Sequence, residues 1–542
     1  MKFIKENLKY VVIVLLIVFF TISIVPKTFQ NDTFYTIAIG KQIIEHGLDD
    51  VEHFSWHEGL DYQTPHWFFD YITGLIYNVF GLEGIYILVC ALSAILMLVI
   101  YFNMVNKGIN WVIAYISTMV TAYLLKDYVF TARAQVLSYL LFFIEIILIE
   151  GFLKYKSKWD AIALFIVSVL IANIHAGAWP MFFILFLPYI GEYVLEQLSL
   201  KETVRKRIKK EEKELKKLEK QEGPSKRIEE LKAAIKKDTK FVKDQEAVEP
   251  RKIISKKNDN VKWLILVMII CILSAFLTPR ANVPFTYFLK IAVGETTGYI
   301  NEHMPLIVAG NLPFLIIMIL AIAFLTFTDT KIKMSHALLL IGLVLMSLTS
   351  IRHVTFLVLF GSYIVTKLID DFIKKYGHEE IDENLKRKIK NVFFVLLCIV
   401  ILALTIYFFI QNSKFEFVEQ SLYPVEATDW ILNNLDVNRI KLYNGYNYGS
   451  YLLYRGIPVF IDSRSDLYTP QFNKDVNVFN SYIGASYGKK TFREVFEEYG
   501  VTHALVEKES VEAVYMSEDG LCNKLYEDEF FVLYQYNGNT IK

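Results

Sequence analysis

The chain has 542 residues, of which 54% are hydrophobic and 15% aromatic, and its mean hydropathy is +0.35. This composition is too apolar for a soluble protein of that length and indicates a polytopic membrane protein. Basic and acidic residues balance to a formal net charge of +0, and we predict no nucleic-acid partner. The 4 cysteines, mostly inside apolar runs, form no disulfide framework.

The first apolar run follows a Lys-rich start and ends near Pro26. It has no small-residue cleavage site, so we predict an uncleaved membrane helix rather than a signal peptide. Together with the later runs of spanning length it predicts about eleven transmembrane helices. The runs are 10–26, 85–103, 111–125, 135–153, 159–173, 179–198, 262–278, 306–327, 335–350, 353–370 and 391–411.

The long polar segment 29–67 follows the first run and interleaves carboxylates and histidines with aromatic rings. Carboxylates can act as bases and accept hydrogen bonds from hydroxyl groups, and aromatic faces can stack on sugar rings. The segment therefore indicates a site that handles a sugar. The next stretch, 67–80, is apolar on one face and predicts an interfacial helix or the start of the second span.

The positions of Lys and Arg predict the orientation of the chain in the cell membrane. With a cytoplasmic N-terminus, the basic connections between spans all fall on the cytoplasmic side, and the C-terminal region lies outside. One of these connections, 199–260, has about twenty basic and about thirteen acidic residues and predicts a charged helical hairpin that turns at 222–225. It could lie on membrane lipids or bind a partner as a coil.

Residues 412–542 alternate short strand-like runs with helix-like pieces, which predicts a small extracytoplasmic α/β domain. The predicted strands are 439–444, 458–463, 502–508 and 530–536, and the predicted helices are 425–433, 449–455 and 489–499. The predicted organisation is a membrane part, 1–198, with its first outer loop at 27–84, then the hairpin 199–260, a second membrane part, 261–411, and the outer domain 412–542.

Ionisable residues from distant parts of the sequence fall at the predicted outer ends of the spans. Such residues at a membrane edge are costly and usually functional, and arginines there could hold a lipid-linked phosphate. Structural alternatives remain: lipid snorkelling for the arginines, interhelical hydrogen bonding for the histidine, and capping of a helix over 33–46 for the aspartate. The main candidates are Asp32, Arg133, His175, Arg280, Glu302, Arg352 and His353.

A second cluster follows the predicted strand 458–463 in the outer domain. Residues just past strand ends often bind ligands in α/β domains. The cluster could recognise an acceptor or glycan, or its Asp–Arg pair could dock the domain on the membrane part. Its members are Asp462, Arg464, Asp466 and Tyr468.

Several passages, taken in their order, resemble the GT-C class of membrane glycosyltransferases. The resemblance is to the protein mannosyltransferase and aminoarabinose transferase group and their uncharacterised bacterial relatives. Asp32 in QNDTFYTIAIG matches the acidic residue that follows the first span in this class. Further passages similar to the bacterial relatives are HGLDDVEHFSWHEG, TPHWFFDYITG, VFTARAQVLSY, LIANIHAGAWP, LTPRANVPFTY, SIRHVTFLVLF and NGYNYGSYLLYRGIPVFIDSRSDLY.

The resemblance implies transfer of a sugar from a polyprenyl-phosphate donor to a protein, lipid or glycan acceptor at the outer membrane face. It implies an inverting mechanism with Asp32 as general base, and Asp49 or Asp50 as the partner carboxylate. Pro65-His66 loosely resembles the His-Pro-Pro step of some members, and Trp67 belongs to a tryptophan-containing passage of the bacterial relatives. We predict that His66 and Trp67 bind substrate with the outer-end set above. No cofactor is predicted to be required, although Asp32 with Asp49 or Asp50 could bind Mg²⁺ or Mn²⁺.

Two other functions remain open from the residues alone. A transporter or flippase of a lipid-linked or polar solute would show polar or broken helices near mid-membrane, often in two related halves. A non-catalytic envelope-assembly protein would keep the same fold and tolerate loss of Asp32.

Overall fold

The computed structural model of the chain describes residues 2–221, 225–247, 252–292, 294–377 and 383–538. Among these residues, four segments are long and apolar enough to cross a membrane: Trp67–Asn106, Ala134–Tyr155, Ala176–Leu198 and Lys388–Asn412. Shorter apolar helices accompany them. The fold is therefore that of a helical membrane protein, and the predicted number of about eleven spans stays a prediction.

Each predicted apolar run coincides with a helix or a pair of consecutive helices. The helices before the C-terminal domain are α1 Lys2–Ile24, α2 Asn31–His46, α3 Trp67–Asn106, α4 Trp111–Val129, α5 Ala134–Tyr155, α6 Lys158–Ile174, α7 Trp179–Ile184, α8 Leu187–Leu198, α9 Leu200–Lys220, α10 Ser225–Ala247, α11 Val261–Ile272, α12 Val283–Ala292, α13 Leu312–Phe327, α14 Met334–Thr349, α15 Val354–Tyr376 and α16 Glu383–Asn412. Strands β1, Ile253–Ile254, and β2, Ile332–Lys333, pair in parallel beside α14.

The first polar loop contains α2, which begins two residues earlier than an Asp32 cap would require. Gln30 occupies the N-cap position and Asp32 lies in the first turn, so Asp32 does not cap the helix. The stretch 67–80 forms the first part of α3, which bends at Gly81, where φ is 63°. The backbone at Gly81 is not helical, so 67–80 and the rest of α3 are two helical pieces that meet at a kink, and both interpretations of 67–80 stay predictions.

Helices α2 and α3 cross at two glycines. A Cβ atom on Gly40 would lie 2.1 Å from the carbonyl oxygen of Asp70, and one on Gly74 would lie 2.5 Å from the carbonyl carbon of Gly40. Only glycine permits backbones to approach this closely without a shift of one helix. The crossing fixes how far α2 stands from the membrane part.

The charged segment after α8 folds back on itself as α9 and α10. Arg207 pairs with Asp238, and Arg227 pairs with Glu214, so the two helices run antiparallel. Of the predicted turn at 222–225, residues 222–224 lie outside the described residues. The arginines of these pairs are exposed, as expected for a solvated helical hairpin.

The C-terminal domain has a four-stranded sheet in the order β3, β4, β6, β5, formed by Leu442–Asn444, His503–Glu507, Phe531–Tyr536 and Cys522–Glu527 respectively. Strand β3 runs parallel to β4, and the other neighbours are antiparallel. Its helices are α17 Val425–Asn434, α18 Tyr446–Tyr454, α19 Val478–Ser486, α20 Phe492–Tyr499 and α21 Val511–Glu518.

The prediction of a strand at 458–463 was wrong, and β5 was not predicted. Val459 instead pairs with the first loop: its N–H donates to the Phe54 carbonyl at 3.1 Å, and its carbonyl accepts from the Ser55 hydroxyl at 2.9 Å. Strand β5 lies at the sheet edge and is largely exposed, so its sequence lacks the apolar alternation that predicts strands.

The C-terminal domain and the membrane part share one continuous buried core. The ring of Phe34 in α2 packs 5.0 Å from Tyr423 and 5.3 Å from Tyr451, measured between ring centroids. The hydroxyls of Tyr77 in α3 and Tyr454 in α18 are 2.7 Å apart. Helix α2 is thereby held between α3 and α18, with its first turn at the junction of the two parts.

Candidate functional site

A cavity of about 770 Å³ lies at this junction. One wall comes from residues at the ends of α5, α6, α14 and α15, which are the helix ends that face the C-terminal domain. The opposite wall comes from α19 and from the segment around Tyr446 and Asp466. The cavity is large enough for a small-molecule substrate, and polar and apolar residues both line it.

Arg133 is the central charged residue of the cavity. It immediately precedes α5, and its Nη2 atom lies 2.9 Å from Asp32 Oδ2 while Nη1 lies 3.1 Å from Glu302 Oε1. Burial opposes the charge on Arg133, but the carboxylates of Asp32 and Glu302 raise its pKa further above the usual value. In return the charge of Arg133 lowers the pKa of Glu302, because it stabilises the carboxylate more than burial disfavours it.

Arg352 is held differently, by a neutral partner. Its Nη1 atom lies 3.1 Å from Nε2 of His303, whose pKa burial lowers to about 4. At neutral pH that imidazole is uncharged and can accept the hydrogen bond. In the described part of the chain no carboxylate lies within ion-pair distance of Arg352, so its charge is available to an anion in the cavity.

His66, His175 and Asp466 also line the cavity. The rings of His66 and His175 are 5.6 Å apart, and His175 Nδ1 lies 3.1 Å from the Ser138 hydroxyl. The Asp466 carboxylate accepts hydrogen bonds from the hydroxyls of Tyr287 and Thr296, each at 3.3 Å. Burial raises the pKa of Asp466, against the lowering effect of the hydrogen bonds from Thr296 and Tyr287 and of the charge of Arg352.

The neighbouring residues of the outer-domain cluster form a buried ion network. Arg464 donates to both carboxylate oxygens of Glu52, at 2.6 and 2.9 Å, and also to Asp462, which accepts from the Tyr468 hydroxyl at 2.6 Å. Glu52 belongs to the first loop, so this network fastens the C-terminal domain to it. The geometry fits the docking interpretation for Asp462, Arg464 and Tyr468, and Arg464 also lines the cavity together with Asp466.

The remaining predicted site residues lie outside the cavity lining. Asp49 pairs with His53 at 2.9 Å, Asp50 pairs with Arg280 at 2.6 Å, and Asp50 is 66% exposed. The Trp67 indole N–H donates to Asn173 Oδ1 at 3.1 Å. The structure therefore brings Asp32 close to Glu302 through Arg133, but it does not bring Asp49 or Asp50 to the same site.

The predicted residues that do line the cavity come from widely separated parts of the sequence. His353 is among them, with Nδ1 held 3.0 Å from the Met346 carbonyl oxygen. The helix-end candidates therefore meet in one cavity, except Arg280, whereas His66, Arg464 and Asp466 come from other predicted groups. The predicted residues in the lining are Asp32, His66, Arg133, His175, Glu302, Arg352, His353, Arg464 and Asp466.

A second set of lining residues was not predicted. Apolar side chains from α5, α7, α12, α14 and α15 line one region, and aromatic side chains line another. The apolar residues look like ordinary membrane-helix residues in the sequence, so no local signal distinguishes them. The apolar set includes Phe142, Met181, Ile184, Phe288, Ile291, Met346 and Phe356, and the aromatic set includes Tyr299, Phe479, Tyr482 and Tyr487.

The carboxylates proposed for a metal do not form a shared ligand set. Asp32, Asp49 and Asp50 each pair with a different basic side chain, as described above. In the ranges the structure describes, no group of three or more His, Cys, Asp or Glu side chains is arranged to hold a metal ion. These residues therefore do not fit the Mg²⁺ or Mn²⁺ site that we considered from the sequence.

Comparison with known proteins identifies the fold. No protein-family model and no curated protein matches the chain. Among solved structures, it is similar to the archaeal oligosaccharyltransferase AglB from Archaeoglobus fulgidus, in complex with an inhibitory peptide and a dolichol-phosphate. The TM-score is 0.52 at 11% sequence identity, with 95% of this chain and 71% of that chain covered.

The likeness shows a shared GT-C-like fold. At this identity it shows the fold alone, and the narrower resemblance to the protein mannosyltransferase and aminoarabinose transferase group stays a prediction.

Proposed function

We propose that the protein is a membrane glycosyltransferase that moves a sugar from a polyprenyl-phosphate donor to an acceptor. The observation that carries the proposal is the composition of one cavity, in which two arginines and a carboxylate lie beside an apolar wall built from membrane helices. AglB was solved with a dolichol-phosphate and a peptide, which supports a lipid-linked donor and a separate acceptor for this fold.

The donor phosphate would bind between Arg133 and Arg352. Guanidinium groups bind phosphate through paired, charge-assisted hydrogen bonds. The first units of the polyprenyl chain would pack on the apolar residues of α5, α14 and α15. Arg352 can bind the phosphate directly, because its partner His303 is neutral. Arg133 would give up part of its pairing with Asp32 and Glu302 and bind the phosphate instead.

That exchange would free Asp32 to act as general base. Asp32 accepts the proton of the acceptor hydroxyl while the acceptor oxygen forms a bond to the anomeric carbon. The bond from that carbon to the phosphate oxygen breaks, and its electron pair stays on the phosphate, where Arg133 and Arg352 stabilise the added charge. Attack opposite the leaving group inverts the anomeric configuration.

We place the cavity and the C-terminal domain on the extracytoplasmic side, and the N-terminus and the hairpin of α9 and α10 in the cytoplasm. This orientation is supported by the basic connections, which the sequence concentrates away from the cavity end of the helices. The proposed mechanism routes no step through a metal, and the lack of a cofactor requirement remains a prediction.

A transfer assay tests the proposal. Purified wild type and Asp32→Asn are incubated with radiolabelled polyprenyl-phosphate sugars and a membrane extract as acceptor. We expect Asp32→Asn to lose at least about 100-fold in transfer rate, because a general base typically contributes that much or more. Asp127→Asn is the matched control, since Asp127 is exposed, pairs with its neighbour Lys126 and lies outside this cavity.

Two results would contradict parts of the proposal. Full activity in Asp32→Asn would remove Asp32 as the base and direct attention to Asp466, a second carboxylate at the cavity. No product from any donor, with folded wild-type protein, would overturn the enzyme proposal in favour of transport or envelope assembly.

A further inference from the structure

One corner of the cavity is walled by aromatic rings from two different parts of the chain. The ring centroid of Tyr299, in the segment before α13, lies 5.9 Å from Tyr487 and 6.2 Å from Phe479, and the latter belongs to α19. All three residues line the cavity. We refer to Tyr299, Phe479 and Tyr487 as the aromatic corner.

The Asp466 carboxylate lies next to the aromatic corner. Thr296 connects them, because its hydroxyl donates to Asp466 Oδ1 at 3.3 Å and its carbonyl accepts the Tyr299 N–H at 3.1 Å. Asp466 Oδ2 accepts from the Tyr287 hydroxyl. Since each carboxylate oxygen can accept about two hydrogen bonds, these contacts leave acceptor capacity for a ligand in the cavity.

The position of Asp466 is fixed from behind by the ion network of the C-terminal domain. Asp466 lies in the short helical turn Ser465–Tyr468. Arg464 before this turn and Tyr468 at its end are both bonded to Asp462, and Arg464 is also bonded to Glu52. Because its neighbours are buried and bonded to each other, the Asp466 carboxylate is held in one position and is preorganised to bind a ligand.

We propose that the aromatic corner and Asp466 form a subsite that binds a sugar ring. This inference rests on the proposed function, which requires a sugar in the cavity, and it names the residues that recognise that sugar. The apolar face of a pyranose would pack on Tyr299 and Tyr487, and its hydroxyl groups would donate to Asp466. The ring could belong to the donor or to a glycan acceptor.

The surrounding charges favour a neutral sugar over a cationic ligand. An aromatic wall beside a carboxylate could also attract an amine or a guanidinium. However, Lys489 Nζ lies 5.9 Å from the Tyr299 ring centroid, and the charge of Arg352 acts on Asp466. A second cation would be repelled at both places, whereas sugar hydroxyls and C–H groups would not.

The first experiment measures binding without transfer. Saturation-transfer NMR is recorded on the full-length protein in detergent with free chitobiose, cellobiose and mannobiose, and with a serine-containing hexapeptide. We expect binding of at least one disaccharide. Tyr299→Ala and Asp466→Asn should each weaken it roughly tenfold, because the first removes a stacking face and the second removes the charged acceptor of the sugar hydroxyls.

Two substitutions act as controls in the same experiment. Tyr299→Phe keeps the ring and should retain binding, which separates loss of stacking from loss of folding. Tyr515→Ala removes an aromatic side chain that is 63% exposed on α21 and outside the cavity lining, and it should leave binding unchanged.

A second experiment distinguishes the source of the sugar. Thermal stabilisation of each variant is measured with undecaprenyl phosphate and with undecaprenyl-phosphate glucose. If the subsite binds the donor sugar, undecaprenyl-phosphate glucose should stabilise Tyr299→Ala no more than undecaprenyl phosphate does. If the subsite binds a glycan acceptor, each lipid should stabilise Tyr299→Ala as much as it stabilises the wild type.

Stabilisation by undecaprenyl phosphate alone tests whether the arginines bind the phosphate. No stabilisation by this lipid would count against the proposed function, whereas stabilisation without any sugar binding would count against the subsite only. The subsite is overturned if no sugar binds in either experiment, if only the peptide binds, or if sugar binding is unaffected by Tyr299→Ala and Asp466→Asn.

Discussion

Arg133 joins two carboxylates that belong to separate parts of the chain. It contacts carboxylates from α2 and from the segment before α13, at 2.9 and 3.1 Å, and these carboxylates would otherwise repel each other. Its guanidinium offers more donors than Asp32 and Glu302 use. An incoming phosphate would therefore compete with the carboxylates for the same cation, which couples donor binding to release of the proposed base.

The first prediction at this scale concerns Glu302. Its pKa is lowered because Arg133 stabilises the carboxylate more than burial disfavours it. A carboxyl group whose pKa is lowered by folding stabilises the fold at pH values above its ordinary pKa. This stabilisation is lost as the pH falls through the pKa of the group in the folded state. Glu302→Gln should therefore lower the melting temperature at neutral pH, and the difference from wild type should shrink on acidification.

The measurement is the melting temperature in detergent, recorded from neutral pH down to pH values below the pKa of Glu302. An Arg133→Gln background is the control, because the effect of Glu302→Gln should largely disappear once its cation is gone. An unchanged, pH-independent effect in that background would show that Glu302 acts through another contact.

At the scale of elements, the position of α2 decides where Asp32 lies. The helix is pressed onto α3 at Gly40 and Gly74 and onto α18 by Phe34. Asp32 is about two turns from the glycine crossing on the same helix, so a shift at the crossing moves its carboxylate relative to Arg133. The close approach is therefore part of the geometry of the site.

Gly40→Ala tests this arrangement. Its Cβ would lie 2.1 Å from the Asp70 carbonyl oxygen, which is backbone and cannot rotate away. We expect a loss of about 3 kcal/mol in the free energy of unfolding, together with reduced transfer activity. Gly342→Ala is the matched control in α14, because a Cβ atom added there would meet nothing within 4 Å, and it should cost little or nothing.

Thermal unfolding and the transfer assay, run on both glycine variants, give the two readouts. Equal stability and activity in Gly40→Ala and Gly342→Ala would show that the crossing of α2 and α3 does not position Asp32.

At the scale of the whole molecule, the cavity exists because the C-terminal domain is docked on the membrane part. The docking uses the shared aromatic core and the buried network in which Arg464, 2% exposed, joins Glu52 to Asp462. A buried arginine with two carboxylates is costly to break, because each partner is left charged and unpaired. The docking also fixes the turn that carries Asp466.

Arg464→Met should accordingly destabilise the protein by about 3–5 kcal/mol and loosen the first loop. Limited proteolysis should then cut within residues 47–66 faster than in wild type. Arg439→Met is the control, since Arg439 is 86% exposed and pairs only locally with Asp436 in the described residues. Equal cleavage rates in both variants would show that the network does not secure the domain.

Much of the architecture was readable from the sequence. The apolar runs became helices, and α17, α18, α20, β3, β4 and β6 lie at or near their predicted positions. Local composition and periodicity suffice for such elements, because burial in lipid or in a small core depends on the residues of the segment itself. The charged residues at one end of the spans were also recognisable as a group.

The pairing within that group was decided only by the tertiary structure. Arg133 and Glu302 are 169 residues apart, and Arg464 and Glu52 are 412 apart, so no local pattern relates them. The same holds for 458–463, whose strand-like sequence pairs with the first loop instead of the sheet. The sequence by itself determined which segments are helical and where charge collects, whereas the partner of each charge depends on contacts between segments distant along the chain.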